Sequence, residues 1–264
     1  MVDGSDIDKA IVGVDVEEEM VELVVGSKLA ATDWPFSKNV FTKDDVTNRS
    51  KADKDYVMSI VEKSNYGFFP TYELNKNTIV YNLSGGAQWM GGSVDPYKNI
   101  LYVTTNEIPT ILKVFASHDI NENFEYKTNV GKPSMLEDLN GYPGSKPPWG
   151  TVTALNLNTG KIIWKVPFGY YQELKLKNEP DTGTENFGGA TATAGGLVFA
   201  TGTLDRLIRA FNSEDGKELW SYKLPYIGSA PPTSYEANGE QYIIVPASGG
   251  ISLKFLYPKI VEQG

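Results

Sequence analysis

Two glycine-rich stretches carry the side chains of this 264-residue chain whose types and spacing could do chemistry. The first, Gly85-Gly-Ala-Gln-Trp-Met-Gly-Gly-Ser-Val-Asp-Pro96, sets Gln88 beside Trp89. Its glycines let the backbone approach a flat ligand or a neighbouring strand closely, Trp89 offers an aromatic surface, and the Gln88 amide brings a donor and an acceptor. The second, Thr182-Gly-Thr-Glu-Asn-Phe-Gly-Gly-Ala-Thr-Ala-Thr-Ala-Gly-Gly196, places Asn186 and Phe187 immediately before a Gly-Gly pair. Other polar candidates read as structural. His118, the one histidine, lies between Ser117 and Asp119 with no neighbour at metal-ligand spacing, and is expected in an exposed loop. Glu17-Glu-Glu19 reads as a solvated turn, and Asp205-Arg206 as a structural turn pairing.

The elements that must position these stretches announce themselves in a sentence written twice. Ala154-Leu-Asn-Leu-Asn-Thr-Gly-Lys-Ile-Ile-Trp164 returns as Ala210-Phe-Asn-Ser-Glu-Asp-Gly-Lys-Glu-Leu-Trp220. Each copy reads as a short strand, a polar turn with glycine where a positive φ is needed, and a second strand ending in Trp. A self-similar unit of about 40–50 residues built this way points to a β-propeller blade. The large flat Trp would fill the wedge between neighbouring blades. The run Gly188–Gly196 is rich in small residues and suits a strand at the crowded centre of such a ring.

Elsewhere the pattern is sparser. Ile11–Val16 and Met20–Val25 read as a hairpin or edge strand, and Asp53–Ser64 as the one helix, with Tyr56, Val57, Ile60 and Val61 on one face. Thr78–Leu83 and Ile100–Thr105 alternate as strands, with Asp95–Asn99 as the turn between them. Ile108–Gly150 reads as a long connection of turns, and Asn238-Gly239 as a tight hairpin. The expected division is residues 1–77, with partial blade strands, a linker and the helix, followed by residues 78–264, the blades proper.

Composition excludes several function classes. Hydrophobic residues make up 41% and aromatics 12%, enough for a core, while 26 glycines and 15 prolines fit a turn-rich all-β protein. The absence of cysteine rules out disulfides and thiolate metal sites. A net charge of −9 argues against nucleic acid and anionic membrane surfaces as partners. No stretch approaches the roughly 20 apolar residues of a membrane span, and Met1–Leu29 does not have the order of a signal peptide.

The Ala-x-Asn-x-x-x-Gly-Lys-x-x-Trp sentence, together with the two glycine-rich stretches, resembles the tryptophan-docking repeat and pocket segments of quinoprotein dehydrogenases. These enzymes hold pyrroloquinoline quinone (PQQ) in an eight-bladed propeller, and the similarity, from Trp34 to Gly250, is to the membrane-type glucose and polyol dehydrogenase branch. It implies about four blades of that ring, equivalent to its C-terminal half. It further implies PQQ as cofactor, an alcohol or sugar as substrate, a periplasmic setting, and a cofactor-facing role for Gln88, Trp89, Asn186 and Phe187. The family has an Asn-Trp pair where this chain has Gln88-Trp89, one methylene longer. A flat quinone needs an apolar face to stack on and edge hydrogen bonds to orient it, which Phe187 and Asn186 could supply. The competing reading has Gln88 and Trp89 closing a blade core and Phe187 packing between blades.

In such enzymes an aspartate takes the substrate hydroxyl proton as hydride moves to the quinone, and Ca or Mg polarises a quinone oxygen. The resemblance puts those groups mainly on blades outside this chain, so no catalytic and no metal-ligating residue is assigned. Two function classes follow. One is the C-terminal portion of a PQQ-dependent sugar or polyol dehydrogenase, needing a missing N-terminal propeller half or self-association into a ring. The other is a non-catalytic propeller scaffold that binds protein partners.

Overall fold

The computed structural model describes residues 36–249, apart from residues 69, 82, 84–85, 88–89, 118–124, 130–134 and 180–181. The candidate hairpin of residues 11–25, Trp34, Gln88, Trp89, His118 and the tail from Ile251 lie outside the described residues.

Four sheets follow one another. The first contains β1 (Asn65–Tyr66), β2 (Asn77–Tyr81), β5 (Pro109–Ala116) and β6 (Tyr126–Thr128) in that spatial order, so it draws strands from both sides of the 77/78 division. The second is built from β3 (Ser93–Asp95), β4 (Ile100–Asn106), β7 (Gly150–Asn156) and β8 (Ile162–Pro167). The third runs through β9 (Ala190–Ala192), β10 (Leu197–Ala200), β11 (Leu207–Asn212) and β12 (Glu218–Lys223), each antiparallel to the next. The fourth is the hairpin of β13 (Thr233–Ala237) and β14 (Glu240–Ile244), closed by Asn238-Gly239 with both residues at positive φ. This is the all-β propeller architecture expected.

Two strand assignments are corrected. The turn after Asp95 joins β3 to β4, whereas Thr78–Tyr81 belongs to another sheet and pairs with β5. The stretch from Ile108 to Gly150 is not all turns, because Pro109–Ala116 forms the eight-residue β5. That run of Thr, Ile, Leu and Val is masked in the sequence by charged flanks. The helix α1 spans Lys51–Val61, capped by the Ser50 hydroxyl, which accepts from the Asp53 N–H at 3.0 Å. Its buried stripe is Asp53, Val57 and Val61, with Tyr56 turned out to solvent. Asp53 is tolerated there because Asn140 donates to its carboxylate at 3.1 Å. Val57 and Val61 pack on Phe41, Ile79, Tyr81 and Leu136. A second short helix, α2 (Gln172–Leu176), follows β8.

The repeated sentence is also repeated in three dimensions. Ala154 faces Trp164 and Ala210 faces Trp220 across their strand pairs, each followed by the same register shift. Trp164 docks on the next sheet: its indole N–H donates to the Ser213 carbonyl at 3.0 Å, beneath Tyr102. Gly216 has φ +72°, and a Cβ there would lie 2.7 Å from the Trp164 ring carbons. The glycine therefore serves both the turn and the neighbour's tryptophan. Around this dock Tyr102, Val152, Ala154 and Phe168 of one sheet meet Val198, Ala200 and Phe211 of the other. Trp220, at the equivalent position, is 49% exposed.

Buried charge ties the same two sheets. Arg209 on β11 pairs with Asp205, bonds the Thr203 hydroxyl at 3.1 Å and reaches Glu218 at 3.1 Å. Asp205 in turn accepts from the Thr203 hydroxyl and from the Tyr170 N–H just beyond β8. Burial alone would lower the Arg209 pKa; Asp205 and Glu218 outweigh it and raise it above the ordinary value. The partner of Asp205 is thus Arg209. Arg206 instead stands at φ +62° and bonds the Pro225 carbonyl from an exposed position. Glu107, buried at the end of β4, is paired in like manner with Lys165.

Urea unfolding should separate the two tryptophans. Trp164→Ala should cost about 3–5 kcal/mol, and Trp220→Ala no more than about 0.5 kcal/mol. Asp205→Ala, which leaves the buried Arg209 guanidinium only the half-exposed Glu218 and the Thr203 hydroxyl, should cost about 3–5 kcal/mol. Adding Arg209→Met to it should recover part of that loss rather than deepen it.

Candidate functional site

One end of the second and third sheets gathers the residues of interest. The start of β3, the end of β4, the start of β7 and the end of β8 lie at this end, as do the start of β9 and the β10–β11 turn. Met90, Ile108, Trp149, Tyr171, Leu174, Phe187, Leu204 and Ile227 come together there as an apolar cluster. Tyr142 stacks on Trp149 with ring centres 6.2 Å apart and planes 6° from parallel, while Tyr171 meets both edge-on. The Trp149 indole N–H is satisfied by the Ser145 carbonyl at 2.9 Å.

This aromatic wall is clamped by Arg49. Its guanidinium bonds Asp138 at 2.6 Å and Glu179 at 3.0 Å, and lies over the Tyr142 ring at 4.4 Å. Burial would lower its pKa, but Glu179 and Asp138 more than compensate and raise it. Burial, with Glu173 adding to it, likewise pushes the Tyr142 phenol up. One side chain thereby holds the chain before α1, the loop before β7 and the turn after α2 in register.

Of the residues expected to face a ligand, Asn186 and Phe187 lie at the entry to β9. Phe187 is largely buried in the aromatic cluster. Asn186 is fully buried and interlocked with Asn106 at the end of β4. Its backbone N–H and side-chain NH2 each donate to the Asn106 Oδ1 at 2.9 Å, and the Asn106 amide returns a bond to the Asn186 carbonyl at 3.0 Å. The Asn186 NH2 also reaches the Thr105 carbonyl at 3.0 Å. Its Oδ1 is left buried with no hydrogen-bond partner among the described residues. A buried acceptor in that condition costs on the order of 1–3 kcal/mol.

Gln88 and Trp89 lie outside the described residues, yet both flanks of their segment are placed. The Gly86 carbonyl accepts from the Asn106 N–H at 2.8 Å, Ala87 bridges Thr105, and Met90 enters the aromatic cluster. Asn106 therefore joins the two glycine-rich stretches, bonded to the first through its backbone and to the second through its side chain. The close fit needs glycine, since a Cβ on Gly188 would lie 2.2 Å from the Thr201 carbonyl oxygen. Asn106 and Arg49 carry no sequence signal of this role, because their side-chain partners lie 80–130 residues away and in no local motif. Among the described residues no His, Cys, Asp or Glu cluster could hold a metal ion, and no helix is long and apolar enough to cross a membrane.

Comparison with known proteins gives one consistent result. The family model described as PQQ, the glucose/ethanol/alcohol dehydrogenase β-propeller domain, matches residues 14–243. The chain is 42% identical over 192 residues to a quinate/shikimate dehydrogenase (quinone) of Acinetobacter baylyi, covering 62% of this chain and 23% of that protein. It is 29% identical to the quinoprotein glucose dehydrogenase of Escherichia coli, covering 81% of this chain and 31% of the relative. Among solved structures, a europium-containing methanol dehydrogenase superposes with a TM-score of 0.50 at 20% identity, over 71% of this chain and 30% of that one. The chain thus spans about a quarter to a third of the relatives' length. It belongs to the β-propeller family of the PQQ-dependent glucose, ethanol and alcohol dehydrogenases.

Proposed function

We propose that this chain is the C-terminal portion of a PQQ-dependent dehydrogenase that oxidises a hydroxyl group of a sugar or polyol in the periplasm. In this reading it supplies part of the quinone pocket, while the catalytic aspartate and the Ca or Mg ligands come from an N-terminal propeller portion. The observation that supports it best is the Asn186 Oδ1: a fully buried acceptor, unpaired among the described residues, at the junction of the two glycine-rich stretches. A PQQ ring offers a pyrrole N–H of matching polarity. Gln88 would add an edge hydrogen bond, and Trp89 and Phe187 would present apolar faces. Bound there, PQQ would supply the two-electron acceptor for alcohol oxidation. The chain's own part is to orient the ring and exclude water from it, with Asn106 fixing the amide and Arg49 fixing the aromatic wall.

A second reading, a propeller scaffold without quinone, draws on the burial of Phe187 in the aromatic cluster, which packing alone would also produce. PQQ titration with calcium or magnesium present separates the two. The wild-type chain should bind the quinone, and Gln88→Ala and Phe187→Ala should each weaken binding about tenfold, the loss of one hydrogen bond or one stacked face. None should reduce a dye with glucose or glycerol unless the N-terminal portion is added. Equal affinity in all three, or no binding by the wild type, would leave the scaffold reading standing.

A further inference from the structure

A chemically labile pair is built into the loop that carries the Arg49 clamp. The chain contains two Asn-Gly pairs, Asn140-Gly141 and Asn238-Gly239. In such a pair no Cβ shields the glycine nitrogen, which can reach the asparagine side-chain carbonyl. Asn140 and Gly141 are both exposed to water, and Gly141 stands at φ +80° with nothing within 4 Å of the place of a Cβ. The two groups that would react are each held at rest. The Asn140 NH2 donates to the Asp53 carboxylate at 3.1 Å, and the Gly141 N–H donates to the Asp138 carbonyl at 3.2 Å. Asp53 is buried on α1, and its other oxygen accepts from the Ser50 hydroxyl. The same loop fixes the aromatic wall. One Asp138 carboxylate oxygen accepts from the Asn140 and Tyr142 N–H groups at 2.8 and 3.1 Å, and the other holds Arg49.

We infer that Asn140 is a site of spontaneous covalent modification, restrained by its bond to Asp53, and that its product releases α1 from this loop. The Gly141 nitrogen bonds to the Asn140 Cγ and loses its proton. The Cγ–Nδ2 bond breaks, and the departing nitrogen takes up a proton and leaves as ammonia. Water then opens the cyclic imide at either carbonyl, giving aspartate or isoaspartate, and the new acid ionises. No oxidant, cofactor or enzyme is required. Either product puts a carboxylate where an amide donated, so the buried Asp53 loses a donor and gains a like charge. Isoaspartate also lengthens the backbone by one methylene, so the two N–H groups no longer converge on one Asp138 oxygen. The change is irreversible, and it reaches the Arg49 clamp through Asp138.

The test holds the full chain in mildly alkaline buffer and digests samples at intervals, following both Asn-Gly peptides by mass and by isoaspartate content. Asn140 should convert in the folded chain, more slowly than in urea. Asp53→Ala should speed conversion of Asn140 at least about tenfold, the worth of one hydrogen bond to a charged group. Asn238, in the turn of another sheet, should keep its wild-type rate and so report that this variant is folded. A second comparison does not use that variant. Asn140→Asp, a mimic of the product at an exposed position, should lower the urea midpoint and speed amide exchange in α1 about tenfold. Adding Asp53→Asn to it, which removes the like charge and restores a donor, should recover most of both losses. Conversion of Asn238 without Asn140, equal Asn140 rates with and without Asp53, or an Asn140→Asp chain of wild-type stability would each overturn the inference. No quinone enters these measurements, so their outcome and that of the PQQ titration are read independently.

Discussion

Everything in this structure depends on how closely two sheets can approach face to face. Twisted sheets splay apart toward their outer strands, leaving a wedge that must be filled or abandoned to water. Here the filler is Trp164 and the seat is Gly216, and the fit is tight enough that a single methyl on the seat would collide with the ring. Because the indole is also held by the Ser213 carbonyl, its orientation is fixed along with its depth. The inner strands then meet through small and medium side chains, Ala154 and Val152 against Val198 and Ala200. The position of the end that gathers Asn106, Asn186 and Phe187 follows from that spacing.

Polar chemistry fixes the strand ends once apolar packing has set their distance. The Asp205–Arg209 pair, the Arg49 clamp and the interlocked asparagines all lie at one end of the sheets, where segments distant in sequence must agree on a register. Each is buried, and each is satisfied by several partners rather than one, which is the condition under which buried polarity is tolerated. The Asn186 Oδ1 departs from this, as do the buried Thr182 and Thr201 hydroxyls, which also have no hydrogen-bond partner among the described residues. Each unmet buried group is a local cost that the surrounding packing must carry.

The sequence made the sheets legible where a pattern recurs within one hairpin. The strand pairs of the two docking sentences, the positive-φ glycines and the Asn-Gly turn depend on neighbours a few residues away and fall where expected, although Trp220, unlike Trp164, stays half exposed. Contacts between distant segments were not legible in the same way. Adjacency in the sequence pairs Asp205 with Arg206, whereas alternation along β11 carries Arg209 to it and turns Arg206 outward. Strand β5 is hidden inside a charged stretch, and the turn after Asp95 joins β4 to the three-residue β3, too short to show alternation, rather than to Thr78–Tyr81. The glycine-rich stretches stood out, whereas Asn106, which joins them, is one unremarked residue at a strand end.

The choice of amides at that junction has a consequence for ionic strength. The ties made by Asp205, Asp138 and Glu107 join opposite charges, and salt screens such pairs to the extent that water reaches them. Asn106 and Asn186 hold each other through neutral amides, which salt does not screen. The alignment of the two glycine-rich stretches is thereby indifferent to the ions that reach the outlying charge pairs, such as Glu179 on Arg49.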